Sequence, residues 1–181
     1  MNRGKRERER ERAASGAGKM GAIVASVQRS AVCSSFNIEI DDANMHRWMV
    51  GFPKETFIPE YPELYHDLET WAERTAREAN VVLSITFPPH YPRAPPFVRV
   101  VCPRFRFHTG HVTVGGSICT PILTSEAWRP DISGEALLLT LQSLLMEGKG
   151  RVDMYNLHDY TQKEAEEAFK RVAADHEWRV E

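Results

Sequence analysis

Apolar and polar residues alternate strictly along Phe36-Asn37-Ile38-Glu39-Ile40-Asp41, the period-2 pattern of a half-buried strand. Trp48-Met49-Val50-Gly51-Phe52 predicts a second strand, stopped by Pro53. Residues 81–87 predict a third and residues 97–101 a fourth, joined by a rigid, proline-dense connection over residues 88–96. Elsewhere the apolar spacing is helical. Ile23, Val24 and Val27 share one side of a short helix over residues 20–30. Residues 62–78 predict a longer helix with proline in its first turn, a stripe of Leu64, Leu68, Trp71, Ala72 and Ala76, and a Glu73–Arg77 pair at i,i+4. Leu137, Leu141, Leu144 and Leu145 face one way on a later helix, which Asp131 or Ser133 caps and Gly148 ends. Thr161-x-x-Glu164 is a capping box for a last helix with Ala165, Ala168, Phe169 and Val172 inside.

Strands come in one block and most helices afterwards. That order predicts an α+β fold with an antiparallel meander rather than a wound parallel sheet. The helix over residues 62–78 is then an extra element between strands 2 and 3.

Composition narrows the class. The chain has 181 residues, 42% hydrophobic and 27% charged, with a formal net charge of −2. These values exclude a wholly disordered chain, a collagen-like repeat and a polytopic membrane protein. They also exclude a strongly basic nucleic-acid binder. Residues 3–12 read R-G-K-R-E-R-E-R-E-R, in which favourable i,i+3 and unfavourable i,i+4 charge pairs cancel. The division expected is a charged, flexible arm over residues 1–18 and one folded domain over residues 19–181. No apolar run has the length of a signal peptide core or a bilayer span, so a cytoplasmic or nuclear protein without membrane contact is expected.

Three cysteines, Cys33, Cys102 and Cys119, are too few for a disulfide framework or a four-ligand zinc site. His108-x-x-His111 with Cys102 lacks a fourth ligand of compatible spacing, and Gly148-Lys149-Gly150 lacks the spacing of a phosphate loop. Arg104-Phe105-Arg106-Phe107 reads as a half-buried edge strand, arginines on one face and aromatics on the other, rather than as a nucleic-acid surface. Cys119 differs from its two counterparts. It follows Gly115-Gly116-Ser117-Ile118 and precedes Thr120-Pro121, an irregular setting more open than a strand core. Cys102, ending an apolar strand, reads as a small buried hydrophobe.

Phe87-Pro88-Pro89-His90-Tyr91-Pro92-Arg93-Ala94-Pro95-Pro96 resembles the F-P-x-x-Y-P-x-x-P-P signature of ubiquitin-conjugating enzymes. Gly116-Ser117-Ile118-Cys119 resembles their active-site G-x-I-C, and Ile122-Leu123 and Trp128-x-Pro130 fall where that family has I-L and W-x-P. The resemblance runs from about Phe36 onward. It implies the ubiquitin-conjugating (UBC) fold: an N-terminal helix, a four-stranded antiparallel meander and C-terminal helices. The family's His-Pro-Asn triplet is missing, its nearest match being His108-Thr109-Gly110. That absence, the long stretch from Pro96 to Cys119 and the extra helix resemble the Q-type, non-classical members.

The resemblance implies that Cys119 accepts ubiquitin or a ubiquitin-like protein as a thioester and passes it to a substrate lysine or a ligase cysteine. It implies three partners besides protein substrates: the modifier, an activating enzyme met by the N-terminal helix, and a RING or HECT ligase met by Phe87, Arg129 and Pro130. No cofactor is implied, because ATP is used by the upstream activating enzyme. With the family's asparagine absent, His108, Thr109, His111 and Thr113, or backbone N–H groups around Gly115 and Gly116, are the candidates to support the loop and hold an oxyanion. Asp153, or Glu147 less favourably, is the candidate to orient a lysine, since Pro121 stands where the family commonly has aspartate. Two rival readings remain: a weakly active or inactive UBC-fold module that binds ubiquitin or a ligase, and a Cys/His hydrolase using Cys119 with His108 or His111.

Overall fold

The computed structural model describes residue 18 and residues 20–58 and 60–176. The charged arm apart from residue 18 lies outside the described residues. Helix α1 (residues 20–29) buries Met20 and Val27, with Ile23 and Val24 packed half-buried on the same core. Strands β1 (Asn37–Ile40), β2 (Arg47–Pro53), β3 (Asn80–Thr86) and β4 (Phe97–Cys102) form one sheet in the order β1-β2-β3-β4. All neighbours are antiparallel, with Val50 opposite Leu83 and Leu83 opposite Val100. The alternation does what it predicts: Trp48, Val50, Phe52, Val81, Leu83, Ile85, Val98 and Val100 are buried, because successive side chains point to opposite faces.

Helix α3 (Gly134–Glu147) closes the core with Leu137, Leu138, Leu141 and Leu145. Of its two candidate caps the chain uses Ser133, whose Oγ accepts the Ala136 N–H at 3.1 Å; Asp131 pairs instead with Arg129. Helix α4 (Gln162–Asp175) starts at the predicted capping box, Thr161 and Glu164 each accepting the other's backbone N–H. Arg104 adds a 2.8 Å ion pair to Glu164, and together these donors hold the Glu164 carboxyl at about 2. Among the described residues, no helix is long and apolar enough to cross a membrane.

Helix α2 (Pro62–Thr75) is the insertion between β2 and β3. It stops before residue 78 because Ala76 turns left-handed, φ 54°. The expected Glu73–Arg77 helical pair therefore does not form. Arg77 leaves the helix, lies over the Trp71 ring at 5.0 Å and pairs with Asp159 at 2.6 Å. Leu64, Leu68 and Trp71 are fully buried, as their spacing predicts. Asp67 shares that face, three residues from Leu64 and four from Trp71. Its carboxylate is satisfied by the Arg151 guanidinium at 2.7 and 3.0 Å and by the Val152 N–H at 3.0 Å.

The stretch 104–107 is not a two-faced strand. Phe105 is buried, paired with Val152, whereas Phe107 is 71% exposed. The arginines are anchored rather than displayed: Arg104 at the start of α4 and Arg106 on the Val152 carbonyl. Pairing to residues 151–153 holds only a few residues here, so alternation fails after Phe105.

Truncating a packed aromatic loses its burial and leaves a cavity, at a cost of about 3–5 kcal/mol. Trp71→Ala should lower the melting temperature clearly in a thermal scan followed by circular dichroism. An unchanged transition would contradict the packing of α2 into this core.

Candidate active site

The cysteine loop is an extension of the sheet. Past β4 the chain turns and returns along its edge, where Gly116 O accepts the Val100 N–H at 2.7 Å and the Ile118 N–H donates to Val98 O at 3.0 Å. Residues 111–119 double back on themselves. Val112 pairs with Ile118, Thr113 N–H donates to Ser117 O at 2.9 Å, and Cys119 N–H donates to His111 O at 2.8 Å. Gly116 has φ +95°, a region side chains rarely adopt, and a Cβ there would lie 2.5 Å from the Tyr160 ring. A Cβ on Gly115 would overlap the Glu164 carbonyl oxygen of α4. Tyr160 is itself fixed, its hydroxyl accepting the Phe105 N–H at 3.0 Å.

Beyond Cys119, a 3-10 turn (Pro121–Leu123) leads to buried Trp128, whose Nε1–H donates to Pro92 O at 2.6 Å. This bond joins the proline-dense connection to the segment after the cysteine. Tyr91 fills the space between, 4.7 Å from the Phe87 ring and 5.9 Å from Trp128.

Of the three cysteines Cys33 and Cys102 are buried and Cys119 is half-buried. Burial raises the Cys119 thiol above its ordinary value. Burial also raises Cys33, and it pushes Cys102 up to about 11 despite Arg77 Nη2 at 3.0 Å from its sulfur.

The candidate supporting residues separate into different roles. His111 is brought opposite Cys119 and is exposed. Thr113 bonds Ser117 Oγ at 2.7 Å inside the loop's own turn. Thr109 Oγ1 donates to Arg106 O and accepts the Arg151 N–H, tying two backbone segments together. His108 is exposed and its ring lies tilted against Phe107, with centroids 3.8 Å apart and planes at 53°. The backbone groups are largely committed: Gly116 N–H donates to Thr113 O, and Ile118 and Cys119 N–H to the carbonyls already named.

Two of the expected site residues have definite structural engagements. Asp153 is held beside Arg104, its N–H on Arg104 O and its Oδ1 accepting the Tyr155 N–H. What reaches His111 is Gly148, where a Cβ would lie 2.6 Å from the His111 nitrogen. Phe87 is only 2% exposed and packs on Trp48 and Tyr91, so its ring supports the proline-dense connection from below and offers no surface to a ligase. The parity of 81, 83, 85 and 87 already assigns it to the core. Arg129 and Pro130 are exposed as expected, and Arg93, one residue past the Trp128–Pro92 bond, is exposed with them.

The half-buried thiol of Cys119 is thus carried on a hairpin laid on the last strand of a four-stranded meander, a more ordered setting than the irregular loop expected. A family profile described as "Ubiquitin-conjugating enzyme" matches residues 77–177, and the chain belongs to that family. Its relatives point to the Q-type members. It is 28% identical over 144 residues to human ubiquitin-conjugating enzyme E2 Q1, covering 79% of this chain and 33% of that protein. It is 29% identical over 147 residues to a human Q-like ubiquitin-conjugating enzyme, Q-like protein 1, covering 78% and 83%. The chain thus spans about a third of the former relative and most of the latter. The fold is shared with human ubiquitin-conjugating enzyme E2 G1 (TM-score 0.54, 22% identity, 73% of this chain and 95% of that one). It is also shared with a Plasmodium falciparum ubiquitin-conjugating enzyme E2 (TM-score 0.52, 21% identity, 70% and 95%).

Two outcomes are expected. Iodoacetamide should alkylate Cys119 before Cys33 or Cys102, and its rate should climb with pH to a midpoint above the ordinary ~8.5 of a free thiol, because only thiolate attacks. A midpoint below about 8, read by mass spectrometry, would mean a cation assists the thiol. Gly115→Ala forces a Cβ onto α4 backbone, the overpacking that costs typically about 1–3 kcal/mol. It should lower the melting temperature and change the Cys119 alkylation rate, whereas Gly18→Ala, which meets open space, should do neither.

Proposed function

We propose that the chain accepts ubiquitin, or a ubiquitin-like protein, on Cys119 and hands it on to a lysine amine or a ligase cysteine. The observation that supports this reading is the half-buried Cys119 at the end of a hairpin anchored to β4 and α4, inside the family's own motif. In charging, the Cys119 thiolate attacks the modifier's thioester on the activating enzyme. The new C–S bond forms, the activating enzyme's thiolate leaves, and its proton balance is restored by solvent. No metal or organic cofactor takes part, ATP being consumed upstream. Arg129 and Pro130, exposed beside the Trp128–Pro92 bond, are the surface a RING or HECT ligase meets.

Discharge is where this chain departs from the common pattern. Transthiolation to a cysteine makes modest demands on an oxyanion site. Aminolysis needs a neutral amine and a held oxyanion, and loss of one oxyanion donor typically costs about 10²–10³ in rate. With Thr113, Gly116, Ile118 and Cys119 bonded within the loop, His111 is the side chain best placed to donate.

Incubation with activating enzyme, ATP and ubiquitin should give a thiol-sensitive adduct on Cys119, with Cys119→Ser giving a slower-leaving oxyester or none. Charged protein should discharge faster onto free cysteine than onto free lysine at neutral pH. His111→Ala should slow lysine discharge by up to about 10²-fold, and Thr113→Ala should leave it nearly unchanged. Normal charging of Cys119→Ala, with Cys33 or Cys102 proving necessary instead, would refute the site, and absence of any thiol-sensitive adduct would favour the rival reading of a binding module whose cysteine is incidental.

A further inference from the structure

The chain enters the cysteine hairpin through a strained run of backbone. His108, Gly110 and His111 are left-handed, with φ +59°, +66° and +55°. Residues with a Cβ rarely adopt this region, and such a run persists only where its surroundings over-determine it. Thr109 is the pivot. Its Oγ1 donates to Arg106 O at 2.8 Å and accepts the Arg151 N–H at 3.2 Å, while Arg106 N–H donates to Arg151 O at 2.8 Å. Gly110 N–H donates to Gly148 O at 2.6 Å, and at the end of the run His111 O accepts the Cys119 N–H at 2.8 Å.

The backbone of Arg151 is thus tied to both Arg106 and Thr109, and its side chain is held by another element. Asp67 of the inserted helix α2 is buried and accepts Arg151 Nε–H at 2.7 Å, Nη2–H at 3.0 Å and the Val152 N–H at 3.0 Å. A two-pronged guanidinium–carboxylate pair fixes orientation as well as distance. The Arg151 side chain is 35% exposed, so without Asp67 its guanidinium has water to turn to. The Asp67 carboxylate is spent on Arg151 and Val152, and its influence on the thiol passes through them.

We propose that Asp67 is a positioning residue for the reaction at Cys119: through Arg151 and Thr109 it holds residues 108–111 in the left-handed run that sets His111 opposite the cysteine. The inference rests on the Cys119 thioester reading, with His111 as the donor. When Asp67 is neutralised, Arg151 loses its partner, the ties at Thr109 loosen, and His111 relaxes toward ordinary backbone angles. Aminolysis, which needs a held oxyanion, then slows. Transthiolation, with its modest demand on that donor, does not. The inserted helix thereby tunes which nucleophile the thioester accepts, without touching the reacting atoms.

The test charges the full chain with ubiquitin, stops charging with apyrase and chases the thioester with free lysine or free cysteine. Asp67→Asn, which keeps the shape and removes the charge, should slow lysine discharge by about tenfold or more and leave cysteine discharge near the parent's rate. Combined with His111→Ala it should be no slower than His111→Ala alone, since residues acting as a unit are not additive. Arg151→Lys, which keeps the charge and loses the fork, should shift the lysine-to-cysteine ratio the same way, and it stands in if Asp67→Asn does not fold. Leu68→Ala, on the same helix face and measured below its melting temperature, should leave that ratio unchanged. Without any activating enzyme, the Gly110 and Cys119 amides of Asp67→Asn should exchange about tenfold faster relative to Leu83 of β3, a selectivity that uniform loss of stability does not produce. An unchanged ratio in Asp67→Asn and Arg151→Lys, a ratio shifted equally by Leu68→Ala, effects that multiply in the double variant, or normal lysine discharge by His111→Ala overturns this inference and leaves the Cys119 reading standing. Absence of any thiol-sensitive adduct overturns both.

Discussion

A backbone approach that only glycine permits holds the cysteine loop in place. At Gly115 the hairpin lies so close to the first turn of α4 that a side chain would displace the Glu164 carbonyl, and at Gly116 it lies flat on Tyr160. Each of these contacts exists because the partner is already immobile. Tyr160 is bonded through its hydroxyl to Phe105 and through its N–H to Val101, and Glu164 is fixed by the capping box and Arg104. The thiol therefore sits on a loop with the rigidity of a strand. Rigid support is what a nucleophile needs when the substrate arrives on another protein, since misplacement of an ångström costs rate.

The inserted helix enters the same network through a buried charge. Asp67 reaches the core face of α2 only because Arg151 supplies a two-pronged partner and Val152 a backbone donor. Removing one member of such a set strands the other without water, which costs far more than the intact pair contributes. The tie fixes residues 151–152, which are paired to 105–106, and so fixes the Gly148–Gly150 turn against His111. The insertion thus buttresses the hairpin at His111, while α4 supports it at Gly115.

Much of this is legible in the sequence. Strands and helices follow from alternation and spacing, the capping box from Thr161 and Glu164, and Cys119 from its flanking motif. The failures share a cause, since local pattern carries no information on contacts between distant segments. Arg77 reads as half of a helical pair because nothing local announces Asp159, 82 residues away. Phe105 and Phe107 read as one face of a strand because nothing local announces that pairing with Val152 ends after Phe105. Phe87 is the exception. Its parity with Val81, Leu83 and Ile85 marks it as core, and the motif resemblance, which would put it on the surface, runs against that physical signal. Asp67 goes unnoticed in the sequence, because a carboxylate on an apolar stripe is recognisable only once its arginine is found.

The raised proton affinity of Cys119 fits a carrier better than a hydrolase. A hydrolytic cysteine is driven toward the thiolate by a neighbouring base or cation; here burial is the cause of the shift, and it acts in the opposite direction. A thiol that holds its proton more tightly charges more slowly at neutral pH, and it is also the poorer leaving group once acylated. The second effect lengthens the life of an acyl group held on sulfur. The committed N–H groups of Gly116, Ile118 and Cys119 work in the same sense, since they leave the tetrahedral state with water poorly stabilised. Under the proposed reading, such a site would resist water and discharge to a strong nucleophile, a ligase thiolate or a lysine brought into place with the geometry that water lacks.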